Sequence, residues 1–161
     1  MSSVSVSDMA TPEQRLEDLG LTIPEVAKPV AAYVPAVQTG SYVYTSGQLP
    51  LRDGRLITTG KVGGEVSPEQ AAECAEQCAL NALAAVKSLI GDLSRVERVV
   101  KVVAFVASTP DFTGQPGVAN GASELVGKAF ADAGRHARSA VGVSVLPLDA
   151  PVEVEMVVEV S

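Results

Sequence analysis

One helix with an alanine face constrains this chain more than any other feature. Ser67-Pro68-Glu69-Gln70 reads as a capping box with proline at the first helical position. The helix behind it runs to about Ile90, where Gly91 is a natural stop. Its apolar face carries Ala71, Ala75, Ala79, Ala82 and Val86, with Cys78, Leu83 and Leu89 alongside. Small side chains let a helix lie close against a sheet. The sheet follows at once, because residues 96–107, VERVVKVVAFVA, read as one long strand.

The remaining elements fall around this pair. Residues 1–10 are Ser-rich and read as a loose tail. Thr11-Pro12-Glu13-Gln14 is a second capping box, and its short helix stops at Gly20. Pro24 and Pro29 keep the next stretch extended. From Tyr33 the pattern turns to strand: Val34 to Val37, the turn Gly40-Ser41, then Tyr42 to Thr45, as a hairpin. An Asp53-Gly54 turn and a glycine-bearing loop lead to Gly64. A second long helix is expected over about 117–133, closing at Gly134. Strands at 139–146 and 152–160 finish the chain, joined through Pro147-Leu148-Asp149-Ala150-Pro151.

Two helices on one face of a mixed sheet make an α+β sandwich. The chain has 161 residues, enough for a single domain with a core. With aromatics at 4% and no Trp, that core must be Val, Ala and Leu. The face without helices should be partly apolar, and burial between subunits would cover it.

Several function classes are excluded. A net charge of -7 argues against nucleic-acid or anionic-membrane surfaces, which need clustered Lys and Arg. No apolar run is long enough to span a membrane. The first ten residues lack the basic and apolar regions of a signal peptide, so a cytoplasmic setting is expected. Cys74 and Cys78 sit four apart in a helical pattern, which suits small buried thiols rather than a disulfide framework. With His136 as the one histidine, no zinc site assembles, and no metal is expected. His136, between Arg135 and Arg138, reads as a solvated or hydrogen-bonded loop residue. Ser46-Gly47 lies in no nucleophile elbow, and neither a G-x-G-x-x-G nor a P-loop occurs.

Two features carry chemistry. Arg138 stands at the entrance of a strand, where an always-charged guanidinium is a poor core residue. Its planar fork suits a small carboxylate, at roughly 1.5–3 kcal/mol per charge-assisted bond. Glu153, Glu155 and Glu159 share one face of the last strand, with Val152, Val154, Met156, Val158 and Val160 on the other. On pattern alone the acidic face is a solvated one. A sheet already covered by helices on one side would instead turn it toward a partner subunit or a polar cavity.

With these residues in place, the chain resembles the RidA/YjgF family of reactive-intermediate deaminases over about residues 30–160. The resemblance rests on Ala137-Arg138-Ser139, Leu146-Pro147, Val152-Glu153-Val154-Glu155, Tyr33-Val34, Gly40 and Thr45-Ser46-Gly47-Gln48-Leu49-Pro50. It implies a chorismate-mutase-like fold, with residues 11–29 as an N-terminal extension and residues 30–161 as one domain. It implies a homotrimer that hydrolyses 2-imino acids or enamines to 2-keto acids and ammonia, without cofactor or covalent nucleophile. By position, Arg138 matches the arginine that grips the substrate carboxylate, and Glu153 the glutamate that positions the attacking water. Tyr33 and Ser46-Gly47 match pocket-lining residues. Asn120, before the second helix, looks like the family's pocket asparagine, one residue further from Arg138.

Three departures stand out. Ala140 replaces a cysteine common two residues after the arginine, the extension is absent from short members, and the loop at residues 60–64 is longer. Other readings are a non-catalytic binder of keto acids and a ribonuclease, the latter opposed by the acidic charge. If the last two strands form a hairpin, Arg138 pairs near Glu159 and Glu153 near Ser144. The two groups are then roughly 20 Å apart along the ladder. A site shared between neighbouring subunits is the expected resolution.

Overall fold

Alanine spacing and the capping box account for the element at the centre of the molecule. The computed structural model describes residues 10–29 and 31–161. Within it Pro68–Ile90 forms helix α2 (α1 is the short helix Pro12–Glu17). The Gln70 amide donates to Ser67 Oγ at 3.1 Å, and the Ser67 amide to Gln70 Oε1 at 2.9 Å, so the box is reciprocal. Ala71, Ala75, Ala79, Ala82, Leu83 and Val86 are fully buried. Leu89, expected beside them, is 45% exposed. It sits in the last turn, beyond the edge of what α2 covers.

Strands β1 (Ala36–Thr39), β2 (Tyr42–Thr45), β5 (Val96–Ala107), β6 (Ala137–Val143) and β7 (Val152–Val160) form one sheet in the order β1-β2-β7-β5-β6. A small separate hairpin joins β3 (Leu51–Arg52) to β4 (Arg55–Leu56) across the Asp53-Gly54 turn. Helix α3 (Gln115–Phe130), followed by a 3-10 turn, crosses α2 at Gly121. A Cβ at that position would overlap the Ala72 carbonyl, so only glycine permits this approach. Both helices pack on the face that carries Val43, Val99, Val102, Val152, Val154 and Val158, all fully buried. The architecture is α+β with a mixed sheet, as the element order implies.

The last two strands do not form the hairpin that would pair Arg138 near Glu159. β6 pairs in parallel with β5, and β7 pairs antiparallel with the other edge of β5 and with β2. The β5-α3-β6 crossover lays β6 beside β5 in the usual way for parallel neighbours. The link to β7 is too long and proline-bound for a tight turn, since Pro147 and Pro151 lack an amide donor. It carries the chain over the end of β5, with Leu148 and Asp149 both at φ 60. The Gly60 amide holds this link by donating to the Asp149 carbonyl at 2.9 Å, and Lys61 contacts the Asp149 side chain.

The segment 11–29 is fastened to the rest. Leu16 is fully buried, and Leu21, Ile23 and Val26 pack against the core. Glu13 Oε1 accepts the Leu93 amide at 3.1 Å and lies 3.6 Å from Lys87 Nζ. Arg15 donates to the Ala129 carbonyl at 3.2 Å. The tail expected over residues 1–10 lies outside the described residues, except for Ala10.

The opposite face of the sheet is partly apolar. Val37 and Tyr44 form a cross-strand pair on it, Val157 continues the row, and Phe105 pairs with both Glu153 and Val141. Val37, Tyr44 and Val141 are exposed in the single chain.

Candidate functional site

The residues singled out by sequence gather at two places. The first is built on β7. Beyond β2 the chain runs antiparallel to β7: the Gln48 amide donates to the Val154 carbonyl at 2.8 Å, and the Val154 amide returns to Gln48 at 3.0 Å. This brings Gly47 against Glu153. A Cβ on Gly47 would overlap Glu153 Oε1, so the carboxylate occupies the space a side chain there would need. Ser46 fixes the preceding strand entrance: its hydroxyl donates to the Val34 carbonyl at 2.6 Å and its amide to Pro35 at 2.8 Å. Tyr33, next to Val34, is half exposed.

Glu153 is half-buried, and its carboxyl is pushed above the ordinary carboxylate range, first by desolvation and then by the negative charge of Glu155. Among the described residues no cation lies within ion-pair distance of it. A carboxyl of raised proton affinity that still meets solvent suits a group that takes and returns a proton.

The second place is built on α3 and the edge strand β6. Arg138 pairs with Val102, a position under the helices, so its side chain lies on the helix side of the sheet. Its Nη1 donates to Asn120 Oδ1 at 2.7 Å and to Ser123 Oγ at 3.2 Å. Asn120 lies within α3 rather than before it, because that helix starts at Gln115. Asn120 and Ser123 are three apart on the helix and so face the same way. Sequence reasoning missed Ser123; that spacing from Asn120 is the signal that points to it. Ser123 Oγ is in turn 2.9 Å from His136 Nε2, so His136 is a hydrogen-bonded loop histidine. Both Nη1 protons of Arg138 are used within the chain, which leaves the Nε and Nη2 edge as a fork for a carboxylate. Ala140 follows two residues on, with a methyl group where a thiol would offer reactivity.

The two places are separate within one chain. Arg138 pairs with Val102 and Glu153 with Phe105 on the shared neighbour β5. Two strand steps of about 4.8 Å and three residues of about 3.3 Å set their Cα atoms on the order of 14 Å apart. Positions 102 and 105 also face opposite sides of the sheet. The pairings of Arg138 with Glu159 and of Glu153 with Ser144 do not occur, since β6 and β7 are not neighbours.

A cleft of about 710 Å³ lies elsewhere, between residues 20–27, the β3–β4 hairpin and α2. None of the sequence-predicted residues line it. Its buried amides are spent on structure: Gln77 accepts from Arg52 at 3.2 Å and donates to Asn81 at 3.1 Å, and Asn81 donates to the Leu49 and Leu51 carbonyls at 3.0 Å. Chemistry, rather than size, therefore locates the site.

Cys74 and Cys78 are buried and free. Burial pushes the Cys74 thiol up to about 11 and that of Cys78 well above its ordinary value, so neither is a ready nucleophile. Among the described residues no three His, Cys, Asp or Glu side chains stand close enough to hold a metal ion. No helix among them is long and apolar enough to cross a membrane.

Comparison with known proteins agrees on the family. The family described as "YjgF/chorismate_mutase-like, putative endoribonuclease" matches residues 13–160, a span that begins inside α1. Protein TCP17 of Trypanosoma cruzi is 44% identical over 147 residues, covering 91% of this chain and 92% of its own. A 2-iminobutanoate/2-iminopropanoate deaminase of Dermatophagoides farinae is 33% identical over 138 residues, covering 86% of this chain and 93% of its own. The crystal structure of Atu1372 from Agrobacterium tumefaciens, a protein with unknown function, superposes with a TM-score of 0.88 at 46% identity, covering 94% of each chain. With a family model matched over residues 13–160 and relatives 44% and 33% identical over most of the chain, the chain belongs to the RidA/YjgF family.

Proposed function

We propose that this protein hydrolyses 2-imino acids, or their enamine tautomers, to 2-keto acids and ammonia, at sites formed between neighbouring copies of a homotrimer. The observation that carries the reading is Arg138, whose Nη1 is spent on Asn120 and Ser123 while a full bidentate edge stays available. That edge suits the carboxylate of a small 2-imino acid and fixes the position of the imine carbon. A relative 33% identical to this chain carries the name of such a deaminase.

The reaction follows from the groups present. Glu153 takes a proton from a water as its oxygen bonds to the imine carbon. The proton passes to the nitrogen of the resulting carbinolamine. The C–N bond then breaks as Glu153 takes the hydroxyl proton, the C=O of the keto acid forms, and Glu153 hands that proton to the departing ammonia, which leaves as ammonium. Gly47 lies against Glu153, and in this reading Ser46 and Tyr33, joined through the Ser46 bond to the Val34 carbonyl, supply the adjoining wall. No electrons change hands, so no redox partner is required. A protonated imine is electrophilic enough to need no covalent nucleophile.

The trimer belongs to this reading because Arg138 and Glu153 face opposite sides of one sheet. A neighbouring copy would bring the missing partner, and the apolar row of Val37, Tyr44 and Val157 supports burial of that face. We place the protein in the cytoplasm, where thiols such as Cys74 and Cys78 stay reduced. Cleavage of RNA is not part of the reading, since a net charge of -7 offers no basic surface for phosphates. The test supplies imines made in place from amino acids and follows ammonia and keto-acid release. Wild type accelerates both over the buffer rate, and Arg138→Ala does not.

A further inference from the structure

Arg138 stands at one end of a chain of hydrogen bonds, and the molecule's one histidine stands at the other. His136 Nδ1 lies 2.6 Å from the Gly134 carbonyl, and its Nε2 lies 2.9 Å from Ser123 Oγ. Ser123 Oγ lies 3.2 Å from Arg138 Nη1.

The proton on each atom follows from chemistry. A carbonyl oxygen can only accept, so Nδ1 carries the hydrogen of that bond. In the neutral imidazole, Nε2 is then a bare acceptor. The Ser123 hydroxyl has one proton, and it goes to Nε2. The lone pairs of Ser123 are thereby turned toward Arg138, whose Nη1 can only donate. Together with Asn120 Oδ1 at 2.7 Å, this uses both Nη1 protons and fixes the plane of the guanidinium.

We infer that Ser123 and His136 are positioning residues for Arg138: the imidazole sets the direction of the Ser123 hydroxyl, and the hydroxyl sets which edge of the guanidinium meets the substrate carboxylate. The inference rests on the carboxylate-binding role proposed above for Arg138. Neither residue touches substrate. Without His136 the hydroxyl rotates about its Cβ–Oγ bond and can turn its proton toward the cation. Without Ser123 the guanidinium keeps one anchor, Asn120, and can swing so that no single edge is preferred. Both changes weaken carboxylate recognition and leave the Glu153 side of the chemistry alone.

The test uses the whole protein and three variants, Ser123→Ala, His136→Phe and His136→Gln, each checked for wild-type thermal unfolding. KM and kcat for an imino acid are measured together with the Kd of pyruvate as a carboxylate probe. Ser123→Ala and His136→Phe raise KM and the pyruvate Kd about tenfold, as loss of one oriented charged hydrogen bond would, while kcat stays within about twofold. His136→Gln, which keeps an acceptor near the place of Nε2, recovers most of the loss. Because His136 is the only histidine, one ¹⁵N-labelled imidazole reports directly on the chain. Its spectrum shows the Nδ1–H tautomer, and the Nε2 signal moves in Ser123→Ala. Folded variants with wild-type KM and Kd, or an Nε2–H tautomer in the wild type, overturn the inference. A wild type that neither turns over imines nor binds pyruvate overturns the proposed function and takes this inference with it. Wild-type activity with unaltered variants overturns the inference alone.

Discussion

Glu153 lies so close to Gly47 that its Oε1 would overlap a Cβ placed on Gly47. The contact places a half-buried carboxylate against bare backbone, held there by the pairing of Gln48 with Val154. Gly47→Ala must therefore move the carboxylate, which is the far end of a flexible side chain. The expected result is a folded protein whose kcat falls by about 10²-fold, the usual cost of misplacing a catalytic group by about an ångström. Steady-state kinetics beside a thermal melt check both halves of that statement.

Glu153→Gln removes the proposed base and keeps the shape. Imine hydrolysis is expected to fall by about 10²-fold or more, the range of general acid–base catalysis. Stability should move the other way. Burial and Glu155 raise the folded-state pKa of Glu153, so the charged form is the disfavoured one in the native protein. Below the ordinary carboxylate value both the folded and the unfolded chain hold the proton, and there is no penalty. As pH rises through the raised folded value, the native state acquires a charge it solvates poorly and loses stability. Glu153→Gln should thus unfold at a higher temperature than wild type at pH 7, with the gap closing at pH 4. Melting curves at the two pH values decide it. In the wild type the same shift places the acid limb of the kcat profile above the ordinary carboxylate range.

Arg138→Lys tests the fork. An ammonium keeps the charge but cannot donate two parallel bonds, nor hold Asn120 and Ser123 at once. KM for a 2-imino acid should rise by about tenfold or more in Arg138→Lys, from the loss of one charged hydrogen bond. In Arg138→Ala turnover should approach the buffer rate. Ammonia release at several substrate concentrations separates the two effects.

Leu16→Ala probes the extension. Leu16 is fully buried and joins α1 to the helical layer. Deleting it should cost about 2–5 kcal/mol, the range for a buried leucine that leaves a cavity. Denaturant unfolding measures the loss, and activity per folded molecule should be unchanged in mild buffer, since no residue proposed for chemistry lies on α1.

Local signals made much of the fold legible in advance. The boxes at Thr11 and Ser67 each close their own helix, and the strand at 96–107 falls where the valine run places it. These are contacts between residues three or four apart, or patterns along one segment. What failed was non-local. Whether β7 joins β6 or β5 depends on a crossover through α3 and on a link tied to Gly60 and Lys61, nearly ninety residues away in sequence. Asn120 and Ser123, three apart on α3, share a helix face, but that both meet Arg138 depends on the packing of α3 against β6. Gln77 and Asn81 are buried polar residues on α2, because the β3–β4 hairpin uses their amides, and that pairing across distant segments has no local signal. Arg138 and Glu153 were legible as residue types at strand positions; their mutual placement on opposite faces was not.

That placement makes a shared site the central claim, and a mixed assembly tests it most directly. Arg138→Ala and Glu153→Ala chains are each expected to be inactive alone. Unfolded together in equal amounts and refolded, they are expected to form the proposed trimers, in which some interfaces join an intact Arg138 to an intact Glu153. With random assembly, about a quarter of interfaces qualify, so ammonia release should return to about a quarter of the wild-type rate. Native mass spectrometry confirms that the chains have mixed. Mixed assemblies that remain as inactive as either parent would contradict the shared site.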